Sequence, residues 1–179
     1  TFHVVLVDDG AKDKTPEICD KYKDDPRVTV IHQKNRGLSG ARNTGLKELF
    51  GKYVLLVDSD DILCEGAIEG LLDTAFRYDC DLVEGGAYYL FESGKNIMHR
   101  YRQDAQVTDP FAEIHGHAWG KLYRRELFDG IESWMDVSIR NNEDLMMNYY
   151  LFDRARSAIF EGICPYHYIL RPGSASYSE

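Results

Sequence analysis

Two strand-like apolar segments that both end in acidic residues constrain this chain more than any other feature. Residues 2–9 read FHVVLVDD, and residues 52–61 read KYVLLVDSDD. Short runs of β-branched and aliphatic residues indicate buried strands, whereas adjacent carboxylates repel one another unless a cation neutralises them. We therefore expect two strands of one sheet whose acidic ends bind something cationic.

Helical patterns alternate with further strand-like segments. One helix is predicted to begin with Thr15 as its N-cap, a second near Ser39, and a third spans residues 65–79. The buried face of this third helix would consist of Ile68, Leu71, Leu72 and Ala75. Residues 27–33 and 81–93 read as strands. This alternation predicts an α/β fold with a mainly parallel sheet flanked by helices.

The pattern is looser in the second half of the chain. Residues 141–155 predict a helix, and residues 157–170 predict a strand. The inner face of the helix would carry Leu145, Tyr149 and Phe152. A length of 179 residues suits a single domain with its own core, so we expect residues 1–179 to form one domain.

Composition excludes several functions. The net charge is −9, which disfavours binding to nucleic-acid phosphates. No apolar run approaches 18 residues, so we expect no membrane-spanning helix. The four cysteines form no CxxC pair, and we interpret them as reduced thiols of a cytoplasmic protein. They are Cys19, Cys64, Cys80 and Cys164.

The acids at the two strand ends predict a metal site. In an open α/β sheet, ligands bind at the carboxyl ends of the strands, and hard oxygen ligands suit Mg²⁺ or Mn²⁺ shared with a diphosphate. A calcium-binding EF-hand is excluded, because Ile62 and Leu63 stand where that loop needs an acid and a glycine. The acids concerned are Asp8, Asp9, Asp58, Asp60 and Asp61.

Several other residues carry two interpretations each. Arg42, beside a glycine-rich helix start, pairs with an acid or with a ligand. Glu143 and Asp144 stand in the first turn of a helix, where acids are favourable even without a catalytic role. Trp119 suits a half-buried stacking platform, and His167 is either a core histidine or a ligand.

The pair His115 and His117 has the HxH spacing of metal ligands. No third ligand stands nearby in the sequence, so we do not expect a metal there.

Six motifs in order resemble the inverting family 2 glycosyltransferases of the GT-A fold, bacterial enzymes that build surface polysaccharides. The similar segments are LVDDGAKDKT, NRGLSGARNTGL, LLVDSDD, WGKLYRREL, NEDLMMN and YHYILRPGSAS. The third is similar to the family's DxD metal motif. The resemblance covers nearly the whole chain and implies a nucleotide-binding half at residues 1–92 and an acceptor-side half at residues 93–179.

The resemblance also implies roles on the donor side. Asp8 and Asp9 would contact the base and ribose of a nucleoside-diphosphate sugar, with UDP as the default nucleotide. Asp58 would lie beside the ribose, and Arg42 would belong to the same donor site. Asp60 would ligate Mn²⁺ or Mg²⁺.

Asp61 and His167 would complete the metal ligands. On the acceptor side, Asp144 would be the general base with Glu143 in support, while Trp119 and Lys121 would line the acceptor. The acceptor would be a saccharide or a lipid-linked saccharide. The enzyme would be cytoplasmic or peripherally associated with the inner face of the membrane.

The sequence departs from the family pattern in two respects. Ala11 replaces the serine of the D-D-G-S motif. The family also begins with a strand and a helix that this sequence lacks, and that strand would lie centrally between the two acid-ended strands. We therefore expect residues 1–179 alone to bind nucleotide poorly and to have low activity.

Three rival interpretations remain at this point. A receiver-type signalling domain would share the acids at the strand ends but needs a later lysine that the sequence does not offer. A nucleotidyltransferase would lead with a basic glycine-rich loop. A catalytically inactive glycosyltransferase-like subunit would keep the fold without the reaction.

Overall fold

The computed structural model describes residues 1–91, 96–99, 105–131, 133–139 and 142–171. Its strands are β1 (Val4–Asp8), β2 (Val28–His32), β3 (Tyr53–Leu55), β4 (Ile62–Leu63), β5 (Leu82–Phe91), β6 (Asn96–His99), β7 (Ala105–Gln106), β8 (Lys121–Arg124) and β9 (Ala158–Leu170). Its α-helices are α1 (Thr15–Asp20), α2 (Gly37–Gly45), α3 (Ala67–Arg77), α4 (Pro110–Glu113) and α5 (Glu143–Arg154). Short 3₁₀ helices span Leu46–Glu48 and Arg125–Phe128.

The main sheet has the strand order β3-β8-β5-β9-β4, with β6 paired to β5 and β7 paired to β9. The α/β architecture is confirmed, but the expectation of a mainly parallel sheet is wrong. Only the β1–β2 and β5–β9 pairs are parallel among the described strands, and the other pairs are antiparallel. The sheet is mixed because β8 and β6 run antiparallel to β5 along one of its edges, whereas β9 runs parallel to it along the other.

Strands from both halves of the sequence share this sheet. β9 pairs with β4 and β5, and β8 pairs with β3 and β5. The boundary at residues 92 and 93 lies outside the described residues.

The first two strands form a separate two-stranded sheet. In the described part of the chain, β1 pairs with β2 only, in the register Val4 opposite Val28 to Asp8 opposite His32. The prediction of a buried strand is wrong for most of β1, because Val4 is exposed and Val5 to Val7 are only partly covered. One side of β1 therefore remains unpaired in the described structure, as does the outer edge of β3.

The predicted helix faces are only partly correct. On α3, Leu71 and Ala75 are fully buried, whereas Ile68 is 37% exposed. On α5, the buried hydrophobic residues are Met147, Leu151 and Phe152, while Tyr149 is 48% exposed. Phe152 was placed correctly, but the rest of the buried face of α5 differs from the prediction, because Met147 and Leu151 take the i, i+4 positions that face the core.

The core lies on both faces of the main sheet. The larger cluster includes Leu82, Tyr123, Met135, Met147 and Leu151. The smaller one, between α3 and the sheet, includes Leu71, Ala75, Val83 and Leu122. The four cysteines are all free, with Cys80 and Cys164 buried. Within the described residues, no helix has the length and apolar character that crossing a membrane requires.

Candidate active site

Arg42 joins three distant parts of the chain. It lies on α2, and its side chain is only 9% exposed. Its Nη2 donates to Oδ1 of Asp58, which follows β3, at 2.5 Å. Its Nη1 lies 3.4 Å from Oε1 of Glu143, the first residue of α5. The structure thus brings together an acid of the DxD motif and the acid pair at the start of α5.

Helix α2 is fixed by the residue next to Arg42. Asn43 is buried, and its Oδ1 accepts hydrogen bonds from the amides of Trp134 and Met135 at 2.9 and 3.0 Å. Its Nδ2 donates to the carbonyl of Met135 at 2.7 Å. These three bonds anchor α2 to the segment that precedes α5, so the position of Arg42 is set by backbone contacts.

The charges around Arg42 keep it protonated. Burial lowers the pKa of Arg42, but Asp58, Asp144 and Glu143 outweigh that effect and raise the pKa above its usual value. Arg42 is therefore positively charged at any working pH.

The start of α5 orients Asp144. Asn142, just before the helix, has φ of 60°, a left-handed conformation that asparagine tolerates. Oδ2 of Asp144 accepts from the amide of Ala118 at 3.2 Å, and its Oδ1 accepts from the amide of Leu145 at 3.0 Å. Asp144 is partly exposed, so a bound hydroxyl group can reach its carboxylate.

Residues 58–61, which contain the DxD pattern, form a tight turn that we call the DxD turn. The amide of Asp61 donates to the carbonyl of Asp58 at 3.1 Å, and Asp60 between them is exposed. Oδ1 of Asp61 accepts from the amide of Ile169 at 2.9 Å. Oδ2 of Asp61 is buried and has no hydrogen bond at ordinary distance in the described structure, although the Tyr166 hydroxyl is close enough to influence its pKa. Burial raises the pKa of Asp61, as expected for a carboxylate that lacks a full set of partners.

His167 lies beside this turn. It stands opposite Ile62 in the antiparallel β4–β9 pair, one residue beyond the DxD segment. Its ring meets Tyr88 edge-on, with 5.0 Å between the ring centroids. This position is compatible with either interpretation of His167, as a packed residue or as a ligand.

Asp8 and Asp9 lie at the end of β1 and are held by protein groups. Oδ2 of Asp8 lies 2.8 Å from Nδ1 of His32, and its Oδ1 accepts from the amide of Ala11 at 3.0 Å. Asp9 accepts from the side chain of Gln33 at 2.6 Å and from the amide of Arg36 at 2.9 Å. Asp8 thus holds the turn after β1, and Asp9 holds the loop that leads into α2. No described contact joins either acid to Asp58.

His32 connects Asp8 to α1. Its Nε2 lies 2.8 Å from Oδ1 of Asp20, so the imidazole lies between two carboxylates. The hydrogen bond to Asp8, and then that to Asp20, raises the pKa of His32. The bond to His32 is also the main cause that lowers the pKa of Asp8.

The expectation that Trp119 and Lys121 line an accessible acceptor surface needs correction. Lys121 is fully buried, and Trp119 is 6% exposed. The Trp119 ring is stacked between His117, at 3.6 Å between centroids, and Tyr166, at 4.7 Å. Both residues are therefore buried beneath the surface of the site, where each contacts His117 in the loop before β8.

The HxH pair does have a third potential ligand, which sequence spacing could not reveal. Glu84 on β5 brings its carboxylate within 4.8 Å of the ligand atoms of His115 and His117. However, Nζ of Lys121 lies 3.4 Å from Oε1 of Glu84 and 3.0 Å from Nδ1 of His117. An ammonium group thus already provides the positive charge in this cluster.

Two contributors to the site were missed from the sequence. Tyr166 is fully buried, and its hydroxyl oxygen accepts from the amide of Asp58 at 2.9 Å. Asn148 is a buried polar residue on the inner face of α5. A polar residue between the core positions Met147 and Leu151 is a signal that could have identified Asn148.

Residues 1–131 match the family described as Glycosyl transferase family 2. The chain belongs to this family.

Similar curated proteins include the uncharacterised glycosyltransferase EpsJ of Bacillus subtilis (strain 168), which is 33% identical over 99% of this chain and 55% of EpsJ. The glycosyltransferase GlyA of Streptococcus pneumoniae serotype 4 is 32% identical over 98% of this chain and 27% of GlyA. The chain therefore spans about half of EpsJ and about a quarter of GlyA.

Among solved structures, S. aureus TarS 1-349 in complex with UDP-GlcNAc superposes with a TM-score of 0.84. The identity is 22%, over 99% of this chain and 53% of that one. At this identity the similarity shows the fold, and this family 2 chain has the GT-A fold that the motifs predicted. Family membership also removes the receiver-type interpretation.

The double ion pair of Arg42 predicts a stability cost. We expect Arg42→Met to lower the free energy of unfolding by about 3 kcal/mol, because it leaves Asp58 and Glu143 close together without a cation. Urea denaturation measures this change. Arg125→Met is the matched control, since Arg125 forms an exposed pair with Asp129 and should cost less than about 1 kcal/mol. Equal costs for the two variants would contradict the structural role of Arg42.

The Asp8–His32–Asp20 contacts predict a pH dependence. The raised pKa of His32 means that its contribution is complete below the unfolded-state value near 6.5 and disappears as pH rises through the folded-state pKa. The lowered pKa values of Asp8 and Asp20 mean that their contributions are present above about 3.8 and are lost as pH falls through the folded-state values.

The melting temperature of His32→Gln should therefore fall furthest below that of the unmodified protein near pH 5.5. The difference should shrink by pH 9. Thermal unfolding followed by circular dichroism at both pH values checks this, and an equal difference at both would show that the charge on His32 contributes nothing.

Proposed function

We propose that the protein is an inverting, metal-dependent glycosyltransferase. It moves a sugar from a nucleoside-diphosphate sugar, with UDP as the nucleotide, to a hydroxyl group of a saccharide or lipid-linked acceptor in surface polysaccharide synthesis. The observation that carries the proposal is the convergence, around Arg42, of Asp58 with Glu143 and Asp144 in a family 2 domain.

On the donor side, the proposal assigns Asp8, Asp9, Arg42, Asp58 and Asp60 to nucleotide-sugar binding. The TarS structure whose fold is similar contains UDP-GlcNAc, and this supports a UDP-sugar donor. Asp8 already holds the turn after β1 and Asp9 the loop before α2, so their hydrogen bonds would preorganise the pocket for base and ribose.

The residues of the DxD turn fit a divalent cation. Asp60 offers an exposed carboxylate, and Oδ2 of Asp61 is a buried oxygen without a hydrogen bond in the described residues. Hard oxygen donors suit Mg²⁺ or Mn²⁺. Asp60 and Asp61, with His167 beside them, would hold the ion, which when bound would neutralise charge that develops on the departing diphosphate.

On the acceptor side, Asp144 is the proposed general base. The amides of Ala118 and Leu145 each occupy one lone pair of its carboxylate and fix its orientation. A carboxylate oxygen keeps a second lone pair that can accept the proton of the acceptor hydroxyl. The oxygen freed of its proton attacks the anomeric carbon from the face opposite the diphosphate, and this single displacement inverts the configuration.

Glu143 supports the base by a different route. Its contact with Arg42 keeps the start of α5 close to the DxD turn, so donor and base stay within reach of each other. Residues 1–92 would supply most donor contacts and residues 93–179 the acceptor side. The cytoplasm, at the inner face of the membrane, is the location that suits a nucleotide-sugar donor and a lipid-linked acceptor.

The assignment of Asp144 makes a kinetic prediction. Asp144→Asn should reduce the rate of sugar transfer by at least about 100-fold, because the amide cannot take the proton of the acceptor hydroxyl. The affinity for UDP should change little. Radiolabel transfer from a UDP-sugar gives the rate, calorimetry gives the affinity, and NMR of the product gives the anomeric configuration.

Asp153→Asn is the matched control, because Asp153 is exposed on the same helix. It should transfer at the normal rate. If Asp144→Asn also transfers normally, the base is assigned to the wrong residue. If the unmodified full-length protein binds UDP but transfers no sugar from any UDP-sugar or GDP-sugar tested, the inactive-subunit alternative is favoured.

A further inference from the structure

The loop before β8 is held by buried polar groups that the proposed reaction does not use. This loop, residues 115–120, carries the Ala118 amide that binds Asp144. Three polar residues around it are completely buried: Glu84 on β5, Lys121 on β8 and Asn148 on α5.

These residues, with Tyr123, bind the backbone of the loop one group at a time. The side chain of Asn148 donates to the carbonyls of Gly116 and, at 3.0 Å, His117. Nζ of Lys121 donates to the same His117 carbonyl at 2.6 Å. The hydroxyl of Tyr123 donates to Oδ1 of Asn148 at 2.7 Å and lies 3.3 Å from the Ala118 carbonyl. The carbonyls of Gly116 and His117, which stand just before the Ala118 amide that reaches Asp144, are thus fixed by buried side chains.

Glu84 contacts both His115, at the start of the loop, and Lys121. Its Oε2 accepts from the amide of His115 at 3.3 Å, and its Oε1 lies 3.1 Å from the ring of His115. Its Oε1 also lies 3.4 Å from Nζ of Lys121. One carboxylate therefore contacts the beginning of the loop and the ammonium group that holds its middle.

A buried ion pair is a costly way to stabilise a fold. Apolar residues of similar volume are often as stable or more so, because the two charges lose their hydration. Burial lowers the pKa of Lys121 to about 8, while Glu84 opposes that change. The pair nevertheless supplies a contact that apolar residues could not make. Nζ of Lys121 donates the shorter of the two hydrogen bonds to the His117 carbonyl, beside the one from Asn148.

We propose that Lys121 and Glu84 are positioning residues for Asp144. They fix the loop so that the Ala118 amide holds Oδ2 of Asp144 in the orientation that accepts a proton from the acceptor hydroxyl. The inference rests on the proposed role of Asp144 as general base. The Lys121–Glu84 pair would thus act on the acceptor side indirectly, by holding residues 115–120, and would not contact the acceptor itself.

The test uses the full-length protein with both charges removed together. Lys121→Met alone would leave Glu84 buried without its cation and endanger folding. The double variant Lys121→Met with Glu84→Gln avoids this, keeps an acceptor for the His115 amide, and deletes the donor to the His117 carbonyl. We expect a melting temperature near that of the unmodified protein, UDP affinity within about twofold, and kcat lower by at least about tenfold.

A double-mutant cycle separates positioning from a general structural effect. The same two substitutions are made in the Asp144→Asn background, where the residual transfer rate is measured. We expect almost no further loss of kcat there, because the residue they position no longer acts as a base. The exposed pair Arg125→Met with Asp129→Asn is the control and should leave kcat unchanged in both backgrounds.

Three outcomes would overturn the inference. One is a normal kcat in the double variant, and another is an equal further loss in the Asp144→Asn background. The third is a normal rate for Asp144→Asn itself, which would remove the proposed base and its positioning together. If Asp144→Asn lowers the rate but either of the first two outcomes is found, the positioning role is wrong and the proposed function still stands.

Discussion

Arg42 lies almost completely buried between Asp58, which follows β3, and Glu143, which begins α5. Two acids from segments 85 residues apart would repel each other at this distance without it. The guanidinium offers several donors in a fixed plane, so it can bind one carboxylate on each side, which a lysine could do less well. The relative position of the DxD turn and the proposed base depends on this one side chain.

The surroundings explain why Arg42 can hold that position. Its neighbour Asn43 is tied to the backbone of Trp134 and Met135, so α2 cannot rotate without breaking three hydrogen bonds. On the other side, Tyr166 holds the amide of Asp58. Asp58, Glu143 and Asp144 are therefore oriented by backbone and buried side-chain contacts before any ligand binds. Such preorganisation is what electrostatic catalysis requires.

Much of the architecture could be predicted from the sequence. The apolar runs identified β1, β2, β3, β5 and β9, of which β1 and β3 were predicted to end in acids, and six short motifs in order identified the family. These features are local, because an apolar run or a short motif consists of residues that are close together in the sequence. The acids of the DxD turn and of α5 were found in the same way.

The remaining errors concern contacts that are distant in the sequence. The direction of a strand depends on the path of the loops that connect it to its neighbours. The antiparallel pairing of β8 with β5 could therefore not be predicted from the residues of β8. Tyr149 and Ile68 fit an apolar pattern, yet each faces solvent because packing partners decide which stripe of a helix is buried. The family resemblance placed Lys121 on the acceptor side, and only the fold reveals that it is buried with Glu84 as its partner.

We propose that the DxD turn beside Arg42 binds a nucleotide through a divalent cation held by Asp60 and Asp61. Calorimetric titration of UDP, and then GDP, into the full-length protein with and without Mn²⁺ tests it most directly. The account predicts UDP binding that requires Mn²⁺, is lost in Asp60→Ala and is kept in Asp73→Ala, a change at an exposed acid on α3. Failure of both nucleotides to bind in the presence of Mn²⁺, or equal binding by Asp60→Ala and the unmodified protein, would contradict it.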